Sequence, residues 1–255
     1  MRHVIDYPLL VFVLTFISMW LSAWIGSSFL RRKFQLDEHL IADFNFILPA
    51  SLTLLGLIVG FSFSMAMGRF DQRKNYEEAE ANVIGTEYLR ADVLPAEDAM
   101  KVRELLKAYL DQRILFYSSN DEQEVRQVNA RAGRLQADLW KAIVQATTLR
   151  ATPITALAVS GMNDVLNSQG YTQSAWWYRI PDAAWELMIA IAIMCNLLLG
   201  YGARGGPRGS RLLLILPILI SIAFVLIADI DAPRHGLIRV KAQNLISLAE
   251  SLRSQ

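Results

Sequence analysis

Four stretches of this sequence are apolar for the roughly 20 residues that a bilayer crossing takes. They cover residues 7–30, 46–67, 183–201 and 212–228. The last is the shortest, and Ile230 and its neighbours extend it. The chain is 53% hydrophobic with a mean hydropathy of +0.29, and these four segments carry most of that excess. On a sliding-window reading all four are membrane spans. The first is read as a retained helix and not as a signal peptide. Its leading basic region is only Arg2 and His3, its apolar run is too long, and Arg31-Arg32-Lys33 follows without a cleavage motif.

The expected fold is an all-α membrane protein with four transmembrane helices in two hairpins and a helical soluble insert between them. The boundaries read as a first hairpin over residues 1–68, the insert over 69–181, a second hairpin over 182–230 and a soluble tail over 231–255. The first hairpin closes through a polar loop over 31–43, and the second through "GARGGPRGS", whose Gly and Pro break helix. In the insert, Met100, Val102, Leu105, Leu106, Tyr109, Leu110 and Ile114 recur at helical spacing after Pro95. "SSND" then breaks the chain. Val125, Val128, Leu135, Leu139, Trp140 and Ile143 mark the next helix, and Thr152-Pro153 opens a third with Ile154, Leu157, Met162 and Leu166. Trp176, Trp177 and Tyr178 read as an interfacial aromatic belt ahead of the third span.

Both short loops must share one side of the membrane. They carry Arg31, Arg32, Lys33, Arg204, Arg208 and Arg211 against Asp37, Glu38 and Asp43. The opposite side holds Arg2, Arg69, Arg73, Lys74, Arg179, Arg234, Arg239 and Lys241 close to the spans. The charge rule is nearly balanced, and the side of the insert stays open.

Several function classes find no support. A net charge of +1 gives no basic field for nucleic acid. Cys195 is the only cysteine, and His3, His39 and His235 are far apart, so no disulfide, metal site or cofactor is expected. No nucleophile elbow, phosphate loop or H-E-x-x-H motif is present, and no enzyme is expected.

The second span carries two stripes. Gly56, Gly60, Ser64 and Gly68 fall every fourth residue and read as a helix-packing seam, because small residues let backbones approach closely in lipid. Thr53, Leu57, Phe61 and Met65 form a second stripe beside it. In a monomer that stripe is core. In a ring of identical chains it faces the axis, where apolar side chains make a constriction that gates by dewetting. The span ends in Arg69, Arg73 and Lys74, a cluster placed to draw anions to a pore mouth. Arg73–Glu77 and Lys74–Glu78 also have the i,i+4 spacing of a salt-bridged helix face.

"GFSFSMAMGRFDQRK" resembles the second transmembrane helix of the bestrophin family, on Gly60, Phe61, Arg69, Phe70, Arg73 and Lys74. Bacterial bestrophin-like proteins are similar also in "EEAEANVIGTEYLRADVLP" and in a D-x-D-x-P-x-x-G-L-I-R-V element, here Asp229, Asp231, Pro233, Gly236, Leu237, Ile238, Arg239 and Val240. The likeness covers spans two and four and the two-hairpin order, and is weak over 96–175. It implies a pentameric anion channel in a bacterial inner membrane, with lipid and inorganic anions as its partners. It also implies a neck formed by Thr53, Leu57 and Phe61. Thr53 departs from the bulky apolar residue expected at the top of that neck, where a hydroxyl would widen or wet the entrance. The calcium clasp of animal bestrophins has no counterpart.

Other polar residues near the spans are Asp229 and Asp231, which either bind a cation or seal a helix junction, and Glu186 and Asn196 in the third span. Three functions remain in view: an anion channel, a non-conducting scaffold or sensor that binds a partner through the insert, and a small-solute or ion transporter using the carboxylates.

Overall fold

A computed structural model describes residues 7–30, 33, 38–148, 151–203 and 212–254. Arg2, His3, Arg31, Arg32, Asp37, Arg204, Arg208 and Arg211 lie outside the described residues, as do the side chains of Glu38 and His39. The described residues form eight α-helices and no strand. Helix α1 is Pro8–Ile25, running on into a π-helical turn Gly26–Leu30. Helix α2 is Glu38–Arg90, followed by a 3-10 turn Ala91–Val93. Then come α3 (Ala96–Ser118), α4 (Glu122–Thr148), α5 (Pro153–Trp177), α6 (Asp182–Gly202), α7 (Ile215–Asp231) and α8 (Gln243–Arg253).

The expected stop and start signals act locally. Thr152 and Thr155 form a reciprocal capping box at the start of α5, with Pro153 in its first turn. The Asp121 carboxylate accepts the Gln123 N–H at 2.9 Å as α4 begins.

Three stretches among the described residues are long and apolar enough to cross a membrane: Pro8–Leu30, Asp43–Val93 and Pro153–Gly202. The expected fourth span lies in α7, which is shorter. Its 17 residues rise about 26 Å, less than the roughly 30 Å of a bilayer's hydrocarbon core.

The chain divides into two compact units. The first holds Met1–Arg69 and Arg179–Ile238, and the second Phe70–Tyr178 and Arg239–Gln255. The division cuts the C-terminal segment at residue 238, so only its later part belongs with the helical insert.

In the first unit α1 packs on both α6 and α7. Its contact with α6 is very close. A Cβ on Gly26 would overlap the Leu197 carbonyl, and one on Gly200 would overlap the Ala23 carbonyl. Ser22 adds a hydrogen bond from its hydroxyl to the Ile193 carbonyl at 2.7 Å. These are the small residues that seat helix on helix within the chain, and the four-residue periodicity of the second span does not include them. Met19, Met188, Ala192, Cys195 and Phe224 fill the interior, and Trp185 meets Phe224 edge-on with ring centroids 6.1 Å apart.

In the second unit the core joins Ile84, Val102, Leu106, Tyr109, Leu139, Ile143, Met162, Val165 and Leu245. Helix α5 packs through Ala158, Gly161, Val165 and the expected Met162, while Ile154 and Leu157, also expected on its packed face, are exposed. Trp176 departs from the expected belt. It is buried edge-on against Phe116 and Tyr117, while Trp177 and Tyr178 are exposed.

Gly200→Ala should destabilise the first unit by about 1–3 kcal/mol, because backbone cannot yield as a side-chain tip can. Thermal unfolding of the detergent-solubilised protein measures it. Gly60→Ala, where an added Cβ meets none of the described residues within 4 Å, should leave the packing within one chain unchanged.

Candidate functional site

Helix α2 carries the candidate residues, and its apolar part belongs to the first unit. Pro49 lies inside the helix. It cannot donate the backbone bond of the preceding turn. Thr53 sits one turn on and donates its hydroxyl proton to the Pro49 carbonyl at 2.9 Å. That hydroxyl is therefore engaged by its own helix and does not offer its proton outward.

The two stripes share the open side of the helix. Leu57 is 52% exposed and Phe61 65%, with Thr53 and Met65 exposed in line. Gly56, Gly60, Ser64 and Gly68 are exposed as well, and among the described residues nothing approaches the three glycines. Leu55, Ser62 and Ala66 form the buried side. Within one chain, then, neither stripe is core.

The basic cluster splits. Lys74 is exposed, and Arg69 lies with Nη2 3.9 Å from the Met65 sulfur. Arg73 is 1% exposed. Its Nε donates to the Ala175 carbonyl at 3.2 Å and its Nη2 to the Tyr178 carbonyl at 3.3 Å. These carbonyls end α5, where the last turn lacks intrahelical donors and favours a cation.

Glu77, Glu80 and Glu87 after it are also interior, which the i,i+4 reading missed for Glu77, while Lys74 and Glu78 are both exposed. Glu77 Oε1 accepts the N–H groups of Asn244 and Leu245 at 2.9 and 3.0 Å, and Oε2 accepts the Asn244 side-chain amide at 2.7 Å. It caps α8, whose N-cap residue Ala242 has no side-chain acceptor. Glu80 receives Arg113 through Nε at 2.5 Å and Nη2 at 3.3 Å, with the Tyr117 and Thr172 hydroxyls each at 3.3 Å. Both members of this pair are fully buried. Burial opposes the Arg113 charge, but the Glu80 carboxylate beside it holds the guanidinium above its ordinary value. Burial, and next the Glu80 charge, push the Tyr117 phenol up, so it acts as a neutral donor. Glu87 is buried too, and Arg90 Nη1 is 3.8 Å from its Oε2.

The D-x-D element at the end of α7 has a structural account within the first unit. Asp229 accepts the N–H of Leu237 at 2.6 Å and of Ile238 at 2.8 Å, one on each oxygen. Gly236 makes the turn possible, since a Cβ there would overlap the Asp229 carbonyl oxygen. Asp231, 1% exposed, accepts the Ile180 N–H on both oxygens at 3.2 Å. Among the described residues no group of three His, Cys, Asp or Glu is placed to hold a metal ion. Glu186 is exposed, and Asn196 is buried with its amide donating to the Ala192 carbonyl at 2.8 Å.

The Bestrophin-like domain family matches residues 11–245. The chain belongs to that family. No curated protein matches it. Among solved structures, a bacterial bestrophin homologue from Klebsiella pneumoniae, phased on zinc, is similar with a TM-score of 0.67 at 14% identity, over 96% of this chain and 97% of that one. A point variant of that homologue gives 0.68 at 13%, over 97% and 98%. A further membrane protein gives 0.67 at 12%, over 97% of each chain. At these identities the likeness is one of fold. With its long apolar helices, this bestrophin-like chain is a membrane protein.

Arg113→Met should cost about 3–5 kcal/mol, because it strands the Glu80 carboxylate in the core. The double variant with Glu80→Leu should recover much of that loss. Denaturant unfolding followed by circular dichroism reads both.

Proposed function

We propose that this bestrophin-like chain is a homo-oligomeric, anion-selective channel, pentameric and set as a four-span protein in a bacterial inner membrane. Helix α2 of each copy faces the axis, and α7 with its flanking residues is the fourth span. Thr53, Leu57 and Phe61 form the neck, each about 6 Å further along the helix than the last. Rings of Leu and Phe make it narrow and apolar, so hydration sets the barrier to chloride.

One observation carries this reading. Leu57 and Phe61 stand open beside glycines on which none of the described residues packs. Bare backbone in lipid is the feature that a second helix covers, so the seam at Gly56, Gly60, Ser64 and Gly68 is assigned to the neighbouring copy. Covering it turns the adjacent stripe towards the axis. Arg69 and Lys74 supply the positive field at the neck mouth. Arg73 belongs to the fold, through the carbonyls ending α5. Asp229 and Asp231 seal the junction around residues 229–238. Membrane lipid and inorganic anions are the expected partners, with no nucleic acid.

Proteoliposomes holding the assembled protein should pass chloride, and Leu57→Ala with Phe61→Ala should raise that flux several-fold. An assembled oligomer with no flux rejects the channel. Unchanged flux in the double variant rejects the neck. Gly60→Ile should reduce the solution mass from five times the 28.7 kDa chain towards that of one chain, as read by light scattering.

A further inference from the structure

Among the described residues of α2, Glu87 is the one buried acid with no hydrogen-bond donor. Arg73, Glu77 and Glu80 each meet donors or acceptors of the right kind. The Glu87 side chain is 0% exposed, and neither carboxylate oxygen has a hydrogen-bond partner. Arg90, one turn on, pairs with it by charge at 3.8 Å, too long for a hydrogen bond. Across from it lies the backbone of α5. Gly161 is so close that a Cβ would overlap both Glu87 Oε2 and Arg90 Nη1. The contact is shaped for this carboxyl and, apart from the Arg90 charge, supplies no donor to stabilise its ionised form.

The surrounding charges are few. On α2 itself there is Arg90, and on α5 there is Asp164. On the 3-10 turn Asp92 is taken by Arg103, which also lies over the Tyr88 ring, as does Lys107. An isolated buried carboxylate costs several kcal/mol, and the usual outcome is that the group takes up a proton. Burial pushes the Glu87 carboxyl up to about 8, with Asp164 adding to the rise and Arg90 opposing it.

We propose that Glu87 is a proton-operated latch. In its protonated form it holds α5 against α2 at Gly161, and loss of the proton to water opens that contact. The closed contact prefers the acid and the open one, hydrated, prefers the carboxylate. Between the ordinary carboxyl value of 4.5 and the buried value of about 8, each pH unit therefore favours opening by up to tenfold. Below that window the latch is fully closed, and above it the opening levels off. The device lies in the second unit, in the part of α2 beyond its apolar stretch, and does not depend on conduction.

Hydrogen exchange on the full-length protein in detergent tests it. Amides of α5 around Gly161 should exchange faster from about pH 5 to 8, by up to tenfold per unit once the intrinsic base-catalysed rate is divided out, and then level off. Glu87→Gln should hold them at the slow, low-pH level throughout. Asp164→Asn should lower the pH at which opening levels off, since its charge helps to hold the proton. Amides in α3 and α4 serve as the control for global unfolding. A wild-type profile that is flat, or a Glu87→Gln profile with the wild-type slope, overturns the latch. If Glu87→Gln fails to fold, the wild-type slope and the Asp164→Asn shift decide it alone.

Discussion

The helical insert is organised by buried charge on one face of one helix. Arg73, Glu77, Glu80 and Glu87 lie three, four or seven residues apart on α2, so they project from one side of it. Each meets a different part of the second unit. Arg73 meets the end of α5, Glu77 the start of α8, and Glu80 meets α3 through Arg113 and Tyr117 and α5 through Thr172. Glu87 meets the Gly161 stretch of α5. The apolar core between them is ordinary, and apolar contacts alone allow helices to slide past one another. A carboxylate with three or four named donors does not, because a shift of one turn would leave it buried and unpaired. The register of this unit rests on those groups.

Two of the anchors also obey the helix dipole. The cation Arg73 meets a C-terminal end, where carbonyls are exposed, and the anion Glu77 meets an N-terminal end, where N–H groups are. Exchanging the two signs would put each charge against its own kind. Helix α8 shows why Glu77 matters. It has 11 residues, shorter than the 12–15 needed for even marginal stability in isolation, and its own sequence offers Ala242 where a capping side chain would stand. The cap is supplied from a residue 167 positions earlier.

Much of this was legible in the sequence. The all-helical class, the break at "SSND", the Thr152-Pro153 start and the family resemblance all come from local pattern or quoted motif. The buried charges were not legible, for a specific reason. Glu77 and Glu78 follow Arg73 and Lys74 at the spacing of surface ion pairs, and that spacing is also what places residues on one tertiary face. Local pattern cannot separate the two; burial does. Gly26 and Gly200 escaped for the converse reason. Their partners are the Leu197 and Ala23 carbonyls on another helix, and no periodicity within one segment marks a backbone approach of that kind. The D-x-D element was visible as a motif, but its logic lies in backbone donors eight and nine residues downstream of Asp229.

The same helix that anchors one unit is left bare in the other, and both properties follow from where its solvent lies. Among apolar side chains in water-facing protein, a charge is held only if partners reach it, so α2 past residue 70 carries charges that other helices must meet. In the apolar part, no hydrophobic force drives helix association, because lipid is as apolar as leucine. What favours contact there is close packing, and a small residue at every fourth position provides it only if another helix arrives. Among the described residues nothing comes within 4 Å of a Cβ built on Gly56, Gly60 or Gly68. The Pro49 site fits the same picture. The Thr53 hydroxyl is returned to the helix, so the exposed face of the apolar part presents methyl, leucine, phenylalanine and methionine surface with almost no polar group. A face so uniformly dry, beside a run of small residues, is one that another helix can cover closely without burying an unpaired polar group.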